Sequence, residues 1–407
     1  MTNVSDPVLL HEIRKERKLL FLLAFLFFAH VMDFVIMMPM GDILMRSLNI
    51  GPKQFSLLLS SYSIMAFVMG LTSAMITDRF DRRTILLITI GGFTIGTFFC
   101  GIADNYHTLL IARGLTGSFG GVTGGVIYSI VGDIVPFERR GKAMGIITAS
   151  FSFASIVGIP FGLWLATHMN WHIPFIFFGI FSSVALLAAW FMIPSMRNHI
   201  NPHVSSKVNI HVFRQIFTDI NLVKGLAATF LMTLGHFMVV PFITPALIRN
   251  NGMTQEQIPL IYIISGIVSL GTSPLFGRLT DRYGASRMYT LLAFICIVPV
   301  IALTQTQSSR LTVLYIITTS FILLASGRFV AANTLVTASV EGQRRGGFMS
   351  MRSSIIEFAE GAAAILGGLI VAIGATGRLE HYDLLGYISL LITGISVLLV
   401  RSIKRVE

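Results

Sequence analysis

Apolar residues run along this chain in long blocks, and the polar residues collect between them. A helix that crosses a bilayer needs about 20 apolar residues. Counted on that scale, the 407 residues divide into twelve spans: 19–43, 54–77, 84–103, 107–134, 143–168, 173–193, 222–248, 258–280, 288–305, 311–338, 347–374 and 383–403. Asn49-Ile50-Gly51-Pro52 is a turn signal and parts the first two. The longest polar connection, 194–221, carries Pro194, Arg197, His199, Pro202, His203, Lys207 and His211. The pattern therefore predicts an all-α membrane protein in four segments. These are a polar N-terminal stretch (1–18), a six-span half (19–193), a linker (194–221) and a second six-span half (222–407).

Composition agrees: 54% of the residues are hydrophobic and 12% charged, against about 25% charged in soluble domains. A formal charge of +11 would suit nucleic acid if it formed a patch. Here it is strung along alternate loops. With the N-terminus placed inside, the inner segments hold 23 of the 30 Lys and Arg. The outer loops hold 5 (Arg46, Lys53, Arg249, Arg310, Arg378), and Arg113 and Arg328 lie within spans. That bias predicts both termini in the cytoplasm and no nucleic-acid partner. No cleavable signal peptide is expected, because the polar N-terminal stretch is followed by an apolar run too long for one. Cys100 and Cys296 sit in apolar runs and read as packed thiols. There is no Walker loop, no Ser–His–Asp spacing and no His/Cys cluster. His199, His203 and His211 read as a solvated loop. An enzyme, a cofactor and a metal site are not expected.

The chain also repeats itself. Gly70 to Arg83 ends an apolar run in Asp78, Arg79, Asp81, Arg82 and Arg83; Gly277-Arg278-Leu279-Thr280-Asp281-Arg282-Tyr283-Gly284 does the same 203 residues later. The same offset maps Asp33 to His236, Phe34 to Phe237, Arg46 to Arg249 and Gln54 to Gln257. Two similar halves rich in apolar spans mark a transporter built from repeats. These loops resemble the signature of the major facilitator superfamily, Gly-x-x-x-Asp-Arg-x-Gly-Arg-Arg between helices 2 and 3. The first half departs from it at Ala74 and Asp81, and the second keeps both glycines, Gly277 and Gly284. A second pair of loops, Glu138 to Gly145 with Arg139 and Arg140, and Gln343 to Ser350 with Arg344, is similar to the superfamily's loop after helix 4. The resemblance covers essentially the whole chain. It implies gate loops at Asp78, Arg79, Arg82, Arg83, Asp281, Arg282, Gly284, Arg139 and Arg344. Charges at these helix ends can also bond orphan backbone groups.

Several charges lie inside spans, where they are costly and usually functional. Asp33 is about 14 residues into span 1, about 21 Å from the inner face. His30 precedes it by three positions on the same helical face. Asp33 with Pro39 resembles the helix-1 pattern of drug:proton antiporters, and Arg113 in Arg113-Gly114-Leu115-Thr116-Gly117 the superfamily's helix-4 motif. By depth, Asp33 and Arg113 are expected to meet, Asp33 as proton carrier and Arg113 as its switch. His236 occupies the repeat position of Asp33 and is a relay candidate. Arg328 and Glu357 lie at equal depths, which predicts contact between them; Glu360 follows Glu357 by three residues.

Gly158-Ile159-Pro160-Phe161-Gly162 resembles the helix-5 antiporter motif, in the separated form of sugar-efflux and arabinose-efflux-like members. In the family it seats helix 5 against helix 8. The resemblance implies a twelve-helix exporter, a drug:proton antiporter of a small amphipathic or sugar-like molecule. It is expected to be a monomer of the inner (plasma) membrane, with protons, substrate and lipid as its partners. Helices 1, 4, 7 and 10 would line a cavity offering Phe34, Met37, Met38, Phe119, Tyr128, Phe237, Met238, Phe242 and Phe329. A proton-coupled importer of a nutrient or organic anion, anchored by Arg113 and Arg328, is the alternative.

Overall fold

The computed structural model describes residues 7–197, 200, 216–341 and 345–404, with side chains from residue 16 onward apart from 74–76, 78, 137–138 and 345–346. Twelve helical rods account for nearly all of it. In the first half they are α1 (Pro7–Ile36), α2 (Pro52–Ile76), α3 (Arg82–Gly101), α4 (Tyr106–Ile134), α5 (137–168) and α6 (His172–Met192). The second half has α7 (220–249), α8 (Ile258–Tyr283), α9 (285–305), α10 (Leu311–Ala338), α11 (Arg345–Ile370) and α12 (Tyr382–Ser402). Eleven of the rods are long and apolar enough to cross a membrane by length and composition. The twelfth, α4, is as long, but glycines and Arg113 dilute it. Large apolar side chains such as Ile111, Phe191, Val298 and Leu398 are exposed on the outside of the bundle. In water such a surface would aggregate; in a bilayer it faces lipid.

The even number of rods returns the chain to the face where it began. There Asn221, in the first turn of α7, exchanges two hydrogen bonds with the backbone of Lys404 beyond α12 (2.9 and 2.8 Å). This side is called the terminal face below, and the other the far face.

The repeat survives in local structure. The Gln54 side chain accepts from the Gly51 N–H at 2.9 Å and caps the start of α2. Gln257, 203 residues on, accepts from the Thr254 N–H at 3.0 Å and caps the start of α8. Both first helices also break near the far face, where the sequence pattern predicts continuous spans. The α1 rod stops at Ile36 and a separate turn of helix follows at Gly41–Ser47; α7 passes through a 3-10 turn, Val240–Phe242, before Ile243–Arg249. Pro39, Pro241 and Pro245 explain the breaks, since each removes an N–H donor and crowds the preceding turn. A short hairpin, β1 (Ala372–Ile373) and β2 (Leu379–Glu380), follows α11 at the far face, where the pattern predicts helix up to residue 374.

Inside a bilayer there is no hydrophobic drive between helices, so close approach through small residues matters. A Cβ at Gly117 would stand 2.2 Å from the Tyr62 carbonyl oxygen, and one at Gly121 2.2 Å from that of Ala66. These glycines, four apart on α4, seat α2. Between the halves, α2 lies along α11, where Gly361 and Gly368 receive Ser63 and Ser56.

Candidate functional site

The first half buries one complete ion pair. Arg113 Nη1 lies 2.6 Å from Asp33 Oδ2, and both side chains are 0% exposed. The Thr97 hydroxyl donates to Asp33 Oδ1 at 3.1 Å. Arg113 Nε and Nη2 have no hydrogen-bond partner, so the contact is one-pronged although guanidinium and carboxylate can pair two by two. The remaining face of the cation rests on the Tyr62 ring, 4.5 Å from its centroid. His30, one turn before Asp33, sits 3.4 Å from the Tyr62 hydroxyl and edge-on to Phe93. The depth argument for Asp33 and Arg113 thus brought the right pair together.

The second half is unlike it. At the repeat position of Asp33, His236 stacks on Phe321, with ring centroids 5.4 Å apart, and its Nδ1 has no partner. Among the described residues, buried Arg328 reaches the Thr393 hydroxyl of α12, at 3.4 Å, and its Nε has no partner. The predicted contact between Arg328 and Glu357 is absent: among the described residues no ion pair joins them, and Glu357 Oε2 lies buried without a partner. Equal depth fixes height on a helix but not azimuth, which turns by about 100° per residue. Arg328 points back toward α12, whereas α11, which carries Glu357 and Glu360, packs along α2 of the other half.

On the terminal face the structure describes part of the expected gate. Arg82 is buried against Asp133 at 3.4 Å, and Arg139 pairs with Glu16 at 2.9 Å. Arg83 donates to the Trp190 carbonyl at 2.6 Å and Arg140 to the Gly132 carbonyl at 2.6 Å. These carbonyls lie in the last turns of α6 and α4, where orphan acceptors and the helix dipole favour a cation. Arg79 and Asp281 are exposed, and Arg282 lies over the Tyr283 ring. The Asp78 side chain and Arg344 lie outside the described residues.

The departure of the first loop from the signature has a physical reason. Gly284 has φ +92, a conformation that L side chains rarely adopt. Asp81, in the equivalent place, has φ −58 and needs no glycine. Its carboxylate instead caps α3 through the Arg83 N–H and accepts from the Ser195 hydroxyl (2.5 Å), the Met196 N–H (2.9 Å) and Arg197 (3.4 Å). Burial disfavours its charge, yet these hydrogen bonds outweigh burial and hold the carboxyl down at about 2.

The far face carries a contact that sequence reasoning missed. Asp42, fully buried, takes Arg249 of the other half at 2.5 Å and Arg46 of its own at 2.8 Å. Gln255 adds a bond at 3.3 Å. Arg46 and Arg249 are repeat equivalents, and both sit among the few outer-loop cations, so the signal was present. Phe55 against Phe242 and Gly41 against Pro245 close the same seam.

The helix-5 motif produces a π-helical turn at Ala154–Gly158, ahead of Pro160. Its glycines do not receive α8. A Cβ at Gly158 would meet Met32, and one at Gly162 would meet Ile36. Both pairs are four residues apart, so α5 seats on α1. The same segment also packs along α8, as the resemblance implies, with Ile156 entering the gap at Gly266.

Of the expected cavity residues, Met37, Met38, Met238 and Phe242 are buried in the packed seam of the far face. The Phe119 ring fills the space over Gly92 of α3, inside the first half. Tyr128 packs on Phe27, and Phe34 on Tyr62. Phe237 and Phe329 flank His236. The list assumed that a helix presents its aromatic residues to a cavity; here most of them fill gaps between helices. Among the described residues no group of three or more His, Cys, Asp or Glu could hold a metal ion.

The family profile described as Major Facilitator Superfamily matches residues 23–223 and 225–407. The MFS-type transporter YceJ of Bacillus subtilis (strain 168) is 25% identical over 252 residues, 62% of this chain and 64% of its own length. A probable sugar efflux transporter of Helicobacter acinonychis (strain Sheeba) is 25% identical over 262 residues, 64% of each. The inner membrane transport protein YdhP of Escherichia coli (strain K12) is 24% identical over 268 residues, 65% of this chain and 66% of that one. The chain thus spans somewhat under two thirds of the length of these relatives. A bacterial homolog to the human lysosomal transporter Spinster, solved inward-facing and unoccupied, shares the fold with a TM-score of 0.78 at 18% identity, over 96% of this chain and 98% of that one. Matched in profile along both halves and in fold almost end to end, the chain belongs to the major facilitator superfamily of membrane transporters.

Proposed function

We propose that this transporter is a proton-coupled exporter. It moves a small amphipathic, drug-like or sugar-like molecule by alternating access, with the terminal face in the cytoplasm of a bacterial-type inner membrane. The observation that carries the proposal is the buried one-pronged pair of Asp33 and Arg113. An intramembrane carboxylate with a single cation has two stable conditions: charged against the guanidinium, or protonated and released from it. Export is favoured by the sugar-efflux name among the relatives and by the Pro160 segment of α5; the inner-membrane name of another fits the location.

Arg328 supports a second reading. A buried cation with no carboxylate could anchor a substrate anion, and the protein would then import one. Purified protein in proteoliposomes, screened first by thermal shift against drugs, sugars and lipids, separates the two. Under the first reading a stabilising compound drives counter-movement of protons, and Asp33→Asn abolishes proton-driven accumulation while compound binding and folded yield survive. Substrate and protons moving together would overturn export. An Asp33→Asn variant that still accumulates against a gradient, with the usual pH dependence, would remove Asp33 as the carrier and leave Glu357 or Glu360 as candidates.

A further inference from the structure

Arg352 belongs to none of the motifs above. It lies on α11, about 10 Å along the helix from its start at the terminal face, and is 5% exposed. Its Nε donates to the Thr229 hydroxyl of α7 at 3.2 Å, and its Nη2 donates to Asn333 Oδ1 of α10. Thr229 gives its own proton to the Gly225 carbonyl at 2.9 Å, so it holds the guanidinium from behind and has nothing further to offer. Among the described residues no carboxylate pairs with Arg352. A buried cation without an anion is costly within a membrane.

Packing does not require that cost. The α10 helix starts at Leu311, 205 residues after α4 starts at Tyr106, and the same step carries Arg139 to Arg344 ahead of α11. At this offset Asn333 corresponds to Tyr128 and Arg352 to Ile147. At the offset of the first helices, which takes Asp33 to His236, Thr229 corresponds to Leu26. Leu26, Tyr128 and Ile147 pack in one apolar cluster. The first half thus fills the same place without a charge.

The polar trio stands beside an opening. A cavity of about 450 Å³ is lined by Asn333, Thr334, Thr337 and Ala338, on the last turns of α10 at the terminal face. That volume is in the range of small-molecule sites. Thr334 spends its hydroxyl proton on the Val330 carbonyl at 3.1 Å. Asn333 gives its carbonyl oxygen to Arg352, which leaves the amide NH2 for the cavity. The Thr337 hydroxyl is one turn further along the same wall. The wall therefore offers donors, with a positive charge behind them.

We infer that this cavity receives an oxyanion of the transported molecule, a carboxylate or phosphate on an amphipathic cargo. Asn333 and Thr337 donate to it. Arg352 is a positioning residue: it fixes the Asn333 amide and adds an attraction that a neutral ligand does not feel. The inference deepens the export reading above and rests on it. With the far face latched through Asp42 and Arg249, a cavity at the terminal end of α10 is on the side from which an exporter loads.

The test is calorimetric titration of the full-length protein in phosphatidylcholine nanodiscs, with empty discs as the blank. The probes share one ring system: naphthoate, naphthyl phosphate, naphthol and naphthylmethylamine. The two anions are expected to bind more tightly than naphthol and the amine. Arg352→Met should weaken the anions by about tenfold or more and leave naphthol unchanged. Asn333→Asp gives Arg352 an anion of its own; it should keep the fold and erase the preference for anions. An Arg352 that only packs would shift thermal stability in Arg352→Met and leave the preference intact. The inference is overturned if neither anion binds, if naphthol binds as well as naphthoate, or if folded Asn333→Asp keeps the preference. Loss of the preference in discs of phosphatidylglycerol would make the occupant a lipid headgroup and overturn the assignment to cargo. These titrations involve no proton gradient, so failure of the export reading shows separately, as transport without proton counter-movement in the wild type.

Discussion

The two halves descend through one sequence pattern and solve the problem of buried charge in opposite ways. The first closes its charge locally: Asp33 meets Arg113, and Thr97 and Tyr62 complete the surroundings. The second leaves its charges apart, Arg328 on a hydroxyl and Glu357 with an orphan oxygen. In a half with a closed pair, each charge depends on the other, and removing one partner leaves the second stranded.

The sharpest way to break this comparison is to delete the cation in each half. Arg113→Leu strands Asp33 in the bundle and should destabilise the protein by about 3–5 kcal/mol, the usual penalty for orphaning one partner of a buried pair. Arg328→Met removes a cation that pairs with no carboxylate among the described residues and should be nearly neutral or stabilising. Thermal unfolding of both variants in one detergent measures the contrast; equal losses would mean that the halves are not different in kind. Next in size is Asp42→Asn at the far face. It leaves two arginines without their anion and should cost the closed arrangement about 2 kcal/mol or more, read as a shift toward far-face opening in label distances. The smallest effect belongs to Asp81. Its carboxyl is held below the ordinary range in the folded protein, so its contribution is complete above about pH 4 and is lost as pH falls toward 2. Asp81→Ala should remove that acid-dependent loss and about 1 kcal/mol of capping, seen as a flatter stability profile between those limits.

What was legible in the sequence was whatever depends on length and depth. Twelve spans, two matched halves, and the meeting of Asp33 with Arg113 follow from counting residues along an axis of known rise. What was not legible depends on rotation about that axis and on local breaks. Arg328 and Glu357 share a height but face different neighbours. Phe119 fills a gap at Gly92 that no periodicity reveals. Pro39 was read as part of a motif, and its mechanical effect, ending α1 at Ile36, was not drawn. Asp81 was read as a missing glycine, because a motif records which residue is usual and not the backbone angle that makes it so. Only the angles at Asp81 and Gly284 show that the two loops no longer need the same residue.

The cluster at the far face has a kinetic side. Asp42 holds two cations at once, and they belong to different halves: Arg249, whose side chain is 12% exposed, and Arg46, 64% exposed and one turn along the same short helix. Under the alternating-access reading proposed above, Arg249 must leave when the halves part, but Arg46 travels with Asp42. The carboxylate is therefore handed from two partners to one and never stands bare in a poorly solvated crevice. A latch made from a single pair would have to pass through that bare state, and its opening would be slow. A resident second cation keeps the catch firm at rest and quick to release.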